Sequence, residues 1–239
     1  MRQLRRVARA IDDFVRGFVP RGTEELAADA AARIEEFLRQ YAMLLRPWAE
    51  RVAQRMLVEV STRDMRVWSQ LGNEMGIALR REIETASTGE VMRRALADQV
   101  GLITSLPLEA AERVHHLTTE GIIHGRRAKE IADEIMKTGE VTRSRAELIA
   151  RTEIGRTATE LTKARAEHIS SPGYIWTSAG DRDVRPQHRK LNGTFHRWDS
   201  PPIASEPGQK VMRYHAGAGP RCRCVPMVVI PAQFFARAA

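Results

Sequence analysis

From Thr23 onward one pattern repeats. Apolar residues return every three or four positions, at Leu26, Ala30, Ile34, Leu38, Tyr41 and Leu45, with polar residues between them. That spacing places the apolar groups on one face of an α-helix. Pro47 lacks a backbone N–H and is expected to kink or break this helix. A second helical run covers RDMRVWSQLGNEMGIALRREIE. A third, GEVMRRALADQVGLI, opens on a capping-box pair, Ser87 and Glu90. SLP is expected to interrupt the chain at Pro107. The run LEAAERVHHLTTEGII then resumes, with Leu108, Ala111, Val114, His115 and Leu117 on or near one face. GRRAKEIADEIMKTG follows, and Ser144 and Glu147 form another capping box ahead of AELIARTEIGRTATELTKARAEHI. The opening stretch MRQLRRVARAIDDFVRGF reads as an amphipathic helix with charges of both signs. A basic amphipathic helix can lie on a membrane surface, but the mixed charges favour a contact with a partner or with the rest of the chain.

After Ser170 the grammar changes. SSPG signals a turn, YIWTS reads as a strand, and Gly, Pro, Asp and Asn crowd the next fifty residues before CVPMVVIP closes as a strand. The predicted fold class is α+β: a long helical N-terminal region, then a small α+β domain with a few short strands. The division is drawn near residue 100, because the strands need helices to cover them. Residues 1–100 form the helical region. Residues 101–239 form the second domain, with helices over 108–170 and short strands and loops over 171–232. The segment around KTGEVTR invites a helix-turn-helix reading. Its connection looks longer than the tight turn of a DNA-reading motif, so a helical hairpin is expected.

Composition narrows the classes. The chain has 239 residues, 43% hydrophobic and 28% charged, enough to bury a core without covalent staples. No run of 18 apolar residues occurs, so no membrane span is expected, and the N-terminus lacks the apolar stretch and cleavage site of a secretory signal. Two cysteines are too few for a disulfide scaffold, which favours intracellular synthesis. Residues 181–239 carry ten Lys or Arg against four Asp or Glu, a balance that suits either polyanions such as DNA or a plain solvated basic surface. Aromatic residues make up 5% of the chain, few for stacking on single strands.

Both cysteines sit in HAGAGPRCRC, as Cys222 and Cys224. In extended chain residues i and i+2 face the same side, so both sulfurs can reach one point. A disulfide between them would be strained. A zinc ion shared with His188 and His215, with His196 in reserve, is easier to accommodate. Two reduced, buried thiols are the simpler alternative. Asp181 and Arg185 are spaced for a charge-assisted bond that pins a loop. Asp181 or Asp183 with His188 could instead serve a metal-dependent nuclease or toxin effector. A Cys–His nucleophile has no oxyanion-hole signature beside it, so no catalytic residue is assigned. Arg221 and Arg223, and with them Arg189 and Lys190, are candidates for contact with phosphates or partner carboxylates. Trp176 and Trp198 read as packing residues, and Gly193 as a turn glycine with positive φ.

Taken in order, these pieces resemble the Mu F-like phage head morphogenesis family, also called minor capsid proteins. The likeness rests on Ala150 to Glu153, Trp176, the run Asp181, Arg185, His188, Gly193, then His215 and Cys222 to Cys224, across roughly residues 100–230. Ala216 departs from it, standing where the family usually has proline. The resemblance implies a structural, non-enzymatic part of a tailed-phage or prophage head. Such a part acts in procapsid assembly near the portal and ends in the virion, at the capsid interior or portal vertex. It implies portal and capsid proteins as partners, possible contact with packaged DNA, no membrane, and oligomerisation in the head. Some members carry a fused toxin domain. None is expected here, since the chain closes soon after VVIP.

Overall fold

The apolar spacing becomes helix over most of the chain. The computed structural model describes residues 2–18, 25–75, 84–124 and 128–234. The run starts at Thr23 and Gly125, the Leu26 side chain and residues 76–83 lie outside what is described. The helices are α1 (Arg2–Phe18), α2 (Glu25–Met75), α3 (Gly89–Ile123), α4 (Ala128–Met136) and α5 (Thr138–His168). The C-terminal part holds β1 (Tyr174–Thr177), the short α6 (Pro186–Leu191), β2 (Phe195–His196), β3 (Val225–Val228) and a 3-10 turn, Ala232–Phe234. The α+β class with its helical N-terminal region is as expected.

The helices are longer than the pattern suggested. Pro47 lies inside α2 and Pro107 inside α3, and neither ends its helix. An internal proline costs about 3 kcal/mol. Leu45 and Ala49 are buried around the first, and Leu106, Ala110 and Ala111 around the second. Several apolar side chains on the same side of each proline, at roughly 1.5–3 kcal/mol for a fully buried large one, outweigh that cost. KTGEVTR is likewise no loop: Lys137 alone separates α4 from α5. The Ser144 and Glu147 pair therefore falls within α5, not at a start. At α3 the helix opens at Gly89, with the Thr88 carbonyl accepting the Met92 N–H at 3.0 Å.

Two compact units divide these elements. The first comprises Met1–Ala53 and Ala97–Ala150, and the second Gln54–Leu96 and Arg151–Ala239. In the first, Leu4, Val7, Ile11 and Val15 form the buried stripe of α1, which lies on α4. Ile34, Leu38 and Leu45 of α2, Ile103 and Val114 of α3, and Ile149 of α5 complete the core. Tyr41 is half-buried, while Leu108 and His115 are exposed. His115 meets Glu35 at 3.1 Å, and Arg145 holds Glu109 at 3.0 Å. These surface pairs add little stability.

The second unit holds a three-stranded antiparallel sheet in the order β2–β1–β3. Tyr174 is opposite Val228 on one side and His196 on the other. Tyr174 and Trp176, both fully buried, alternate inward with Ile175 and Thr177 facing away. They join Trp68 of α2, Ala166 of α5, Trp198, Ala204, Ala216 and both cysteines in one core. Gly193 has φ +79°, and its N–H donates to the Trp176 carbonyl at 2.8 Å, which turns the chain into β2. Beneath the sheet Arg165 of α5 donates to Asp64 of α2 at 2.7 Å, with both side chains almost fully buried. Thr162 donates to the same carboxylate at 3.0 Å. No helix among the described residues is long and apolar enough to cross a membrane.

Candidate metal centre

Three elements of the second unit converge on one point. Arg185 leads extended into Pro186, which starts α6 and sets His188 on its buried face. Glu206 and the Ile203 carbonyl anchor this short helix through the backbone N–H and the side chain of Gln187. The segment entering β3 alternates: Cys222 and Cys224 are buried, Arg223 is exposed. Behind them α5 comes close to the 215–219 turn. Thr159 donates to the Ala216 carbonyl at 2.8 Å, and a Cβ on Gly155 would lie 2.7 Å from the Gly217 oxygen. Gly217, at φ +89°, makes the turn.

His188 Nδ1 lies 3.6 Å from Cys222 Sγ and 3.5 Å from Cys224 Sγ. Its other nitrogen, Nε2, is 3.2 Å from the Ala204 carbonyl and 3.1 Å from the Tyr214 hydroxyl. A carbonyl only accepts, so Nε2 carries the proton and donates. Nδ1 therefore presents a lone pair to the sulfurs. This is the arrangement in which a histidine binds a metal, its second nitrogen held by a backbone oxygen. The three ligand atoms lie within 4.8 Å of one another. Tetrahedral zinc, with bonds of roughly 2.3 Å to sulfur and 2.0–2.1 Å to nitrogen, would separate each S···N pair by about 3.5 Å. The residues fit such an ion. A thiolate is also favoured: the Cys224 thiol donates to Cys222, and this outweighs burial and draws the Cys222 thiol down to about 4. Cys224 moves upward in turn, as the partner that keeps the proton.

The structure brings together three of the four predicted ligands. His215 stands apart, in no group with the sulfurs among the described residues. Its Nδ1 meets the Tyr174 hydroxyl at 3.0 Å, and its ring stands edge-on to Trp198. Burial, aided by Lys163, lowers His215 to about 4 and keeps it neutral. His196 is bound to Thr194 Oγ1 at 2.7 Å and does not join either. The expected Asp181–Arg185 bond is replaced. Asp181 pairs with Arg223 at 2.7 Å, which lowers its carboxyl, and Arg185 donates to the Pro220 carbonyl at 2.6 Å. Both pairings tie the 181–185 loop to the cysteine segment, which a local bond within that loop would not do.

Asp183 is exposed and 3.9 Å from Arg223. Arg189 donates to the Arg182 carbonyl at 2.7 Å, and Lys190 is exposed. Trp176 lies edge-on to His188, with ring centres 5.2 Å apart. Sequence reasoning missed Tyr214 and Ala204, for which nothing local gives a signal. It quoted Thr152 only as part of a motif. Thr152 Oγ1 accepts the Arg221 N–H at 3.2 Å and holds that residue at φ +52°.

The model of the Phage Mu protein F like family matches residues 112–227, a stretch that contains the whole cluster. A Haemophilus influenzae protein described as "Uncharacterized protein" is 27% identical over 165 residues, which span 69% of this chain and 35% of that protein. The chain thus matches only about a third of that relative's length. No solved structure matches the chain. The match assigns residues 112–227 to the Mu F-like phage head morphogenesis family.

Proposed function

We propose that this chain is a minor capsid protein of a tailed phage or prophage, which acts as a structural part in procapsid assembly near the portal. The observation that carries the reading is the family match over residues 112–227, because it encloses the linked His188–Cys222–Cys224 knot. In this reading residues 101–239 form the head morphogenesis domain, and residues 1–100 offer helical surface to portal, capsid or sister subunits. His188, Cys222 and Cys224 would hold a zinc ion, and through it α6 would be clamped to the segment entering β3. When bound, the ion would supply a cross-link between distant parts of the chain, its charge balanced by the two thiolates. A basic C-terminal stretch, ten Lys or Arg against four Asp or Glu over 181–239, favours contact with packaged DNA. Exposed Val67, Val225 and Met227 border an apolar cavity of about 730 Å³ in the second unit and suit a protein partner. The protein's place is the virion, at the capsid interior or portal vertex.

The geometry favours a clamp over a cleaving centre. His188 Nε2 is held by the Ala204 carbonyl, and Asp181 is held by Arg223 outside the cluster. The test is a tagged chain expressed during prophage induction. It should sediment with heads and co-purify with portal rings. Absence from procapsids and from mature particles alike would sink the reading.

A further inference from the structure

A second cavity, of about 360 Å³, opens against the candidate metal centre, and all three ligand residues line it. Its remaining wall is unusual in charge. Arg151, Arg185, Arg221 and Arg223 contribute four guanidinium-bearing side chains against a single carboxylate, Asp183. Two of the four are committed: Arg223 to Asp181 and Arg185 to the Pro220 carbonyl. The other two are not. Among the described residues the guanidinium groups of Arg151 and Arg221 have no hydrogen bond or ion pair.

Nothing in the clamp requires these two arginines, yet the fold spends structure on placing them. Arg151 stands on α5 next to Thr152, and the Thr152 hydroxyl fixes the backbone of Arg221 in a left-handed conformation that a non-glycine side chain rarely adopts. The motif at Ala150 to Glu153 thus supplies both an arginine and the residue that aims a second one. Like charges brought to one concave surface repel, unless an anion takes them up.

We propose that this cavity is a phosphate-binding site, with Arg151 and Arg221 as its two receiving groups. Guanidinium forks match the oxygens of phosphate, and a tetrahedral anion can take bonds from two of them at once. The volume admits one nucleotide-sized group. The source is either a polynucleotide backbone or a free phosphate compound. In naming phosphate the inference rests on the reading that the chain meets packaged DNA, and the first arm below examines the cavity without it.

The experiment measures binding of inorganic pyrophosphate to the full chain by calorimetry. It also measures binding of a short oligothymidylate by fluorescence anisotropy, with pyrophosphate as competitor. Arg151→Gln and Arg221→Gln should each weaken pyrophosphate about tenfold, and together far more. Arg151→Lys and Arg221→Lys should recover part of the loss, and Arg182→Gln, whose side chain is 96% exposed and outside the cavity, should change nothing. Unchanged thermal melting of the variants shows that folding is intact. Oligothymidylate displaced by pyrophosphate, with the same arginine dependence, identifies a polynucleotide source. Pyrophosphate binding without oligothymidylate binding keeps the site, assigns it to a free phosphate compound, and counts against the DNA contact instead. No pyrophosphate binding, or binding equal in the double Gln variant, overturns the proposal. So does an oligoglutamate peptide that binds through the same arginines and is not displaced by pyrophosphate.

Discussion

His188 is used at both of its ring nitrogens, and each use depends on the other. The Ala204 carbonyl and the Tyr214 hydroxyl hold the proton on Nε2, which leaves Nδ1 bare toward the two sulfurs. Tyr214→Phe removes one of these supports and should weaken zinc binding 10–100-fold. Competition against a chromogenic chelator measures it. Purified protein without zinc, with both native thiols titrating freely, would remove the metal from the account. His215 shows what burial does to an equal imidazole without a metal role. Its folded value is about 4, against 6.5 for a free ring. Between these values the unfolded chain binds more protons than the folded one. Stability is then complete above about pH 6.5 and falls as the pH drops toward 4. The slope should stay below the ~1.4 kcal/mol per pH unit of a fully desolvated ring, because solvent screens part of it. Urea unfolding of wild type and His215→Gln across that range gives the difference, and equal slopes would show that the ring does not contribute.

At the scale of elements, α2 and α5 are tied by a buried charge pair as well as by apolar packing. Burial raises the Asp64 carboxyl despite the pull of Arg165 and Thr162, so the pair is held at a cost. Asp64→Leu should destabilise the second unit by about 3–5 kcal/mol, since the buried Arg165 loses the carboxylate that balances its charge. Asp64→Leu with Arg165→Met should recover most of that loss, and denaturant midpoints of the three variants decide it. The helices themselves were legible from period alone, but their ends were not. Pro47 and Pro107 are strong local stop signals, and the Ser144 and Glu147 pair a local start signal. Each was overridden by packing from residues far away in sequence, which no window along the chain can display.

For the molecule as a whole, chemistry and order carried more than position. Two cysteines and a few histidines in a short span were enough to mark His188, Cys222 and Cys224, because few other residue types bind a soft metal. Choosing between His188, His196 and His215 was a question of three-dimensional placement. So was the choice of Arg223 over Arg185 as partner of Asp181. The family likeness was legible because it depends on the succession of pieces. Residues outside 112–227 have no such guide. The family match therefore rests on residues 112–227 alone, and says nothing of the first helices.

The tripeptide from Cys222 to Cys224 serves two masters. Its outer members look inward to the imidazole, while Arg223 looks outward to Asp181. Deleting or inserting one residue here would exchange those directions, thrusting a cation among the sulfurs and stranding a thiol in solvent. Drift in this part of the gene must therefore proceed by replacement and never by change of length.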